Sequence, residues 1–225
     1  LVNEREDYSP EQALEFSKQA MPTLESLAKD GVMFTKAFAP SNLCAPSRIC
    51  IATGTMQQSR GIYRNADVEN YGPEPGSLLA ENLQELGYAT AHIGKWHIAQ
   101  RDESMLTEVL KKYGLPEDIS YHGLRSVEPE AFSELKLAGY YGSVEEKYHP
   151  LRNGFDYYYG YNTWASQFYN STYVWDGYEH AGVQPGYNTD HFTDKALDFI
   201  DEQVKKDQPF FVQLHYHAVH DSLET

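Results

Sequence analysis

Apolar positions along the 225-residue chain fall into helical and strand-like runs that alternate. Ser9-Pro10-Glu11-Gln12 has the parts of a helix start: Ser9 as N-cap, Pro10 at the first helical position and Gln12 to close a capping box. That helix is expected to reach about Lys18. Thr23 opens a second, with Leu24, Leu27 and Ala28 on one face and Gly31 as its stop. Val32 to Phe38 alternates apolar and polar and predicts a strand. A loop from Pro40 to Cys44 leads into a helix beginning near Pro46. Ser77 starts a strongly periodic helix (Leu78, Leu79, Leu83, Leu86) that ends at Gly87, and Tyr88 to Ile93 follows as a strand. From about Arg101 to Tyr187 the chain is rich in Gly, Pro and Tyr and poor in periodicity, so long decorated connections are expected there, with a short helix at Glu103 to Tyr113. Asp190 to Lys206 is amphipathic through Phe192, Ala196, Leu197, Ile200 and Val204. Pro209 breaks that helix, and Phe210 to Leu214 reads as a buried strand.

The predicted strands are too uniformly apolar to have one wet face. Together with the alternation, this predicts an α/β fold with a largely parallel sheet flanked by helices. Such sheets carry their chemistry at the carboxyl ends of the strands. There is no internal repeat and no low-complexity tract.

Composition narrows the function classes. The formal net charge of -15 argues against a nucleic-acid surface, and no apolar run is long enough to cross a bilayer. If the substrate is an anion, the few cations must be gathered near the site against the overall field. The 18 tyrosines cluster from Phe155 through Tyr161 and on to Trp175 and Tyr178. They read either as a packed aromatic layer or as rings that stack on sugar faces. Two cysteines, Cys44 and Cys50, make a disulfide framework unlikely. The chain opens on Leu1-Val2-Asn3 without a signal peptide and stops just past a strand, which reads as an internal piece of a longer protein.

Three polar blocks follow predicted strands or head helices. In Ser41 to Gly54, Cys44 stands at the head of a helix, where free N–H groups favour negative charge, and Arg48 can turn back toward it. By itself this is an activated thiol or anion site, or else a buried structural cysteine. In Gly87 to His97 a strand delivers Lys95 and His97 to the same side, either as an anion clamp or as a solvent-facing pair. The third block, His215-Tyr216-His217-Ala218-Val219-His220, fits no common zinc spacing.

Cys44-Ala45-Pro46-Ser47-Arg48 with Thr53-Gly54 resembles the signature of the type I sulfatases, within the alkaline phosphatase-like superfamily. Gly87-Tyr88-Ala89-Thr90-Ala91-His92-Ile93-Gly94-Lys95-Trp96-His97 is similar to that family's second signature. Met21 to Val32 and His149 to Asp156, with its Gly-Phe-Asp, agree in order. The resemblance implies an alkaline phosphatase-like sulfatase core, incomplete here, with residues 1–225 as the N-terminal part of the catalytic domain. It implies that a maturation enzyme oxidises Cys44 to formylglycine, whose hydrated gem-diol attacks the sulfate ester. Lys95 would bridge sulfate and formylglycine, His97 would hold and help deprotonate the diol, and Arg48 would neutralise charge. His220, or His217 as the fallback, would contact the sulfate or protonate the leaving alcohol. Val219 and Ser222 stand where the family places Pro around this His.

The resemblance also implies Ca2+ (or Mg2+), held partly by the modified Cys44 and by two Asp at the end of the first strand. Asn3 and Glu4 occupy that place, and Glu4 with Asn3 remains a hard-cation donor set. The further ligands would lie beyond Thr225. The implied substrate is a sulfated small molecule or polysaccharide, and the implied location periplasmic, secreted or lysosomal. Two other readings stand beside this one: a phosphodiester or phosphonate hydrolase of the same superfamily, and a non-catalytic homologue. Asn170-Ser171-Thr172 also forms a glycosylation sequon.

Overall fold

The structure, a computed structural model, describes residues 9–68, 72–74, 76 and 78–221. Asn3 and Glu4 lie outside the described residues. The chain divides into two compact units, 1–39 and 40–225. In the first, α1 (Pro10–Ala20) and α2 (Pro22–Asp30) follow the expected pattern. The capping box at Ser9 forms: its N–H donates to Gln12 Oε1 at 2.9 Å, and its Oγ accepts from the Gln12 N–H at 3.2 Å. The strand expected over Val32 to Phe38 does not form, and Val32, Met33, Phe34 and Phe38 are exposed. A strand is stabilised by its neighbour's ladder, and among the described residues no segment pairs with this one.

The second unit is built on a five-stranded sheet. In chain order its elements are α3 (Cys44–Thr53), α4 (Leu79–Glu85), β1 (Ala89–Lys95), α5 (Glu103–Lys112), α6 (Tyr121–Val127), α7 (Pro129–Leu137) and β2 (Tyr157–Tyr161). Then come β3 (Tyr169–Ser171), β4 (Trp175–Asp176), β5 (Glu179–His180), β6 (Gln184–Tyr187), α8 (Asn188–Lys205) and β7 (Phe210–His215). The sheet order is β5-β4-β2-β1-β7, and β3 pairs separately with β6. β1 runs parallel to β2 and β7, whereas β2–β4 and β4–β5 are antiparallel. The parallel core is as expected, with an antiparallel edge added, so the sheet is mixed.

All seven residues of β1 are buried, because helices cover both faces. Ala89, Ala91 and Ile93 meet Phe192, Ala196 and Phe199 of α8. On the opposite face, Trp96, Phe155 and Tyr158 pack with Ala45, Ile49 and Ala52 of α3 and with Leu78 and Ala80 at α4.

The segment 101–187 carries the short helix expected at Glu103 to Tyr113, as α5, but otherwise departs from the expectation of long connections. It holds three helices, α5 to α7, around their own cluster of Leu110, Leu124, Leu135 and Tyr140, and it supplies β2 to the sheet centre. The tyrosine run is itself that strand. Its alternation sends Tyr159 and Tyr161 to the α8 face and Tyr158 to the other, which suits aromatic residues' fit to a pleated surface. Gly154-Phe155-Asp156 works as a structural turn. A Cβ on Gly154 would lie 2.2 Å from the Glu81 nitrogen, Phe155 packs edge-on to His92, and Asp156 Oδ2 accepts from the Thr90 N–H at 2.9 Å.

Candidate active site

Cys44 is the first residue of α3 and half-exposed; of the N–H groups that follow it, that of Ala45 is taken by Asn65, Pro46 has none, and that of Ser47 donates to the Leu43 oxygen at 3.1 Å. Asn65 closes this end. Its Oδ1 accepts from the Ala45 N–H at 3.1 Å, and its Nδ2 lies 3.6 Å from the Cys44 sulfur. Cys50 is different: it is buried, donates to Gln57 Oε1 at 3.0 Å and accepts from the Gln57 N–H at 3.2 Å. Both thiols are free. One cysteine is therefore a packed structural group and the other is presented at a helix head.

The second block arrives from β1. Gly94 takes φ +96°, and a Cβ there would sit 2.0 Å from the His215 carbonyl oxygen, so only glycine lets β7 approach this closely. Gly160 does the same from β2, where a Cβ would lie 2.0 Å from the Gly94 oxygen. Lys95 is buried, and its ammonium donates to the Trp164 carbonyl. Burial lowers the Lys95 pKa to about 8; the Cys44 thiol raises it and Arg48 lowers it further. Trp96 anchors the strand end, donating to the Tyr148 oxygen at 3.2 Å between the rings of His92 and Phe155. His97 follows at φ +52°, a conformation that costs a non-glycine residue on the order of 1 kcal/mol and clusters at functional sites. Burial, then Lys95 and Arg48, push its pKa well below 6.5, so the ring is neutral, and its Nδ1 has no protein partner.

Arg48, one turn into α3, donates through Nη1 to the Lys95 oxygen at 2.7 Å and meets His215 Nδ1 at 2.9 Å. Burial lowers the Arg48 pKa, countered by Tyr161 and Cys44. His215 is pushed down to about 4 by burial and by Arg48, so it is neutral and Nδ1 can accept. It stands 3.3 Å from the same Lys95 oxygen. His215 thus ties the arginine to the end of β1, a contact the sequence reading left unassigned; its only signal was the His-rich stretch itself.

Beyond β7, His217 is buried, lowered to about 4 by desolvation, and keeps Nδ1 without a partner. His220 stacks on it at 5.4 Å and meets Asp221 Oδ1 at 3.1 Å through its own Nδ1. Its ring also lies 6.0 Å from that of Trp164. The structure therefore gathers Cys44, Arg48, Lys95 and His97 around one point, with His217 and His220 at its rim.

Three parallel strands converge here: β1 ends in Lys95 and His97, β2 in Asn162-Thr163-Trp164, and β7 in His215 to His220. Beyond the ends of β1 and β2 lies a cavity of about 210 Å3 lined by Asn65, His97, Arg101, Asn162, Thr163 and Trp164. Asn65, Arg101 and Asn162 to Trp164 carried no sequence signal that set them apart from loop residues. Among the described residues, no cluster of three or more His, Cys, Asp or Glu side chains gathers to hold a metal ion. Nor is any described helix long and apolar enough to cross a membrane.

The Sulfatase family model matches residues 8–225. An uncharacterised sulfatase, YdeN, of Escherichia coli strain K12 is 30% identical over 213 residues, covering 93% of this chain and 34% of its own length. An N-acetylglucosamine-6-O-sulfatase of Bacteroides thetaiotaomicron is 28% identical over 199 residues, covering 88% of this chain and 26% of its own. Among solved structures, one in complex with its substrate D-glucosamine-2-N,6-O-disulfate superposes with a TM-score of 0.57 at 25% identity, over 89% of this chain and 30% of that one. A structure with a neocarrahexaose bound gives 0.65 at 21% identity, over 91% and 41%, and shows likeness of fold. The chain spans between about a quarter and a third of the length of these curated relatives.

Proposed function

The chain belongs to the sulfatase family, and from that premise we propose that the protein it comes from hydrolyses sulfate esters of carbohydrates at Cys44. The observation that carries the reading is the convergence of Arg48, Lys95 and His97 on a half-exposed cysteine at a helix head. Three basic groups around one small nucleophile form a cradle for a tetrahedral oxyanion. Sulfatases generally work through a formylglycine and a divalent metal. The formylglycine made from Cys44 by a maturation enzyme would supply, as its hydrate, the oxygen that attacks sulfur.

This chain's own residues do the rest. Arg48 and Lys95 hold the ester's oxygens and neutralise charge as it builds. Neutral His97 accepts a proton from the hydroxyl nearest it, a role open to a ring kept below its ordinary pKa. His220 donates to the leaving alcohol; His217, lowered to about 4, carries no proton to give at neutral pH and instead stacks behind His220. The calcium expected at Cys44, Asn3 and Glu4 is a different matter. Among the described residues no cluster of three or more His, Cys, Asp or Glu side chains stands at Cys44, and Asn3 and Glu4 lie outside them. The compartment this implies is the periplasm, the exterior or the lysosome.

The N-acetylglucosamine-6-O-sulfatase and the disulfate-bound structure among the relatives favour a sulfated sugar as substrate. The test is to express the full-length protein in a host able to mature sulfatases. Mass spectrometry of the Cys44 peptide should show sulfur exchanged for oxygen with two hydrogens fewer, and ion chromatography should detect sulfate released from sugar sulfates. An unmodified Cys44, or faster release of phosphorus than of sulfate from matched esters, refutes the reading.

A further inference from the structure

The cavity beside Cys44 has a wall that the sulfate itself does not need. Arg48 and Lys95 serve the ester, whereas the cavity is lined by Arg101, six residues past the end of β1. In a chain of net charge -15, a third cation at one site is a concentration of positive charge. Its place is built. The guanidinium lies 5.8 Å from the Tyr140 ring centre and 5.2 Å from that of Tyr141, and 3.7 Å from Glu103 Oε1. Glu103 is shared, since its Oε2 accepts from the Tyr140 hydroxyl at 2.8 Å. Asn162 fixes the loop that carries Arg101, donating to the Ala99 oxygen at 2.9 Å and to the Ser143 oxygen at 3.2 Å.

Three residues that line the cavity carry unpartnered polar atoms. Asn162 Oδ1, Thr163 Oγ1 and His97 Nδ1 have no protein partner, and all three residues are more than nine-tenths buried. Buried polar atoms without partners are costly. Trp164 completes the wall: its indole N–H is pinned to the Tyr141 hydroxyl at 2.6 Å, while the residue stays 50% exposed, a flat face suited to a sugar ring. Arg101 lies on the His97 side of the site, and its charge helps depress the His97 pKa.

We propose that this cavity is the subsite for the sugar ring bearing the ester, with Trp164 as its stacking face and Arg101 as the reader of a second anionic group on that ring. The ligand class is a sugar carrying a carboxylate or a second sulfate besides the ester that is cut. Both are planar or tripodal oxyanions that a guanidinium fork matches. This rests on the sulfatase reading above.

The test uses the full-length protein and two substrate pairs. One pair is N-acetylglucosamine 6-O-sulfate and D-glucosamine-2-N,6-O-disulfate; the other is glucose 2-O-sulfate and glucuronate 2-O-sulfate. Binding is read by calorimetry in the Cys44→Ala protein, which has no nucleophile and no formylglycine precursor, and kcat/KM in the mature enzyme. The doubly anionic member of one pair should be favoured about tenfold, the worth of roughly one charge-assisted hydrogen bond. The pair that shows the preference tells sulfate from carboxylate. Arg101→Gln should collapse that ratio to about one, and Arg101→Lys should keep part of it. A structural role for Arg101 would lower both members alike and leave the ratio standing, which overturns the proposal, as does the absence of any preference in the parent. Binding selectivity without turnover of any ester would sink the sulfatase reading while leaving the subsite in place.

Discussion

His215 offers the sharpest prediction. Arg48 Nη1 is held by two acceptors, the Lys95 oxygen at 2.7 Å and His215 Nδ1 at 2.9 Å. His215→Leu keeps the bulk and removes the second. A hydrogen bond to a charged group contributes about 1.5–3 kcal/mol. If the guanidinium must be held still to meet charge developing on the ester, that loss appears in the transition state. At about 1.36 kcal/mol per decade it lowers kcat/KM by roughly 10- to 150-fold. His215→Asn replaces the ring nitrogen with an amide oxygen at similar reach, and should recover most of the loss. The assay is kcat/KM on a sugar sulfate, with the formylglycine content of each variant measured by mass spectrometry and folding checked by thermal melting. A Leu variant within twofold of the parent refutes the reasoning. So does an Asn variant as impaired as Leu, because then packing rather than the acceptor is what His215 supplies.

Lys95, lowered chiefly by burial, must be charged to clamp the ester, so kcat/KM should fall on the alkaline side below the ordinary lysine range; Lys95→Arg should move that limb upward, and a profile flat to pH 10 would refute the role. His149, His215 and His217 are each held near 4 against an ordinary 6.5. The unfolded chain therefore binds their protons first, and stability is complete above about pH 6.5 and is lost as pH falls toward 4, by up to about 3 kcal/mol per ring. Urea titrations of the parent and of His149→Gln between pH 7.5 and 4.5 should show a shallower fall in the variant; parallel curves would contradict this. Gly94→Ala should lower stability by about 2–4 kcal/mol, since it adds a left-handed strain to a Cβ placed 2.0 Å from the His215 oxygen, and a melting temperature within a degree of the parent would refute it.

The local chemistry of single segments was legible from the amino-acid order. Ser9 to Gln12 spelled a capping box because its parts lie within one turn. The uniformly apolar run of β1 spelled a buried parallel strand, whereas β7, expected to be buried as well, lies at the sheet edge with Phe210 exposed and the rest half-buried. Cys44, Arg48, Lys95 and His97 stood out because the nucleophile motif and the strand end keep fixed spacings. Val32 to Phe38 shows the limit: its alternation is a strand's, but a strand needs a partner, and pairing is a property of the whole chain. The tyrosine run from 157 to 161 shows the opposite case, a sheet centre disguised as a loop because it is polar by composition and buried on both faces by packing.

Only the tertiary structure could bring His215 across 167 residues to Arg48, or set Asn65 against Cys44 and Arg101 beside Trp164. None of these contacts leaves a spacing to read, because each joins the ends of different strands and loops. The sequence determined which groups can react. The sheet, by ending three parallel strands at one edge and by using Gly94 and Gly160 to let their backbones touch, decided which of them meet.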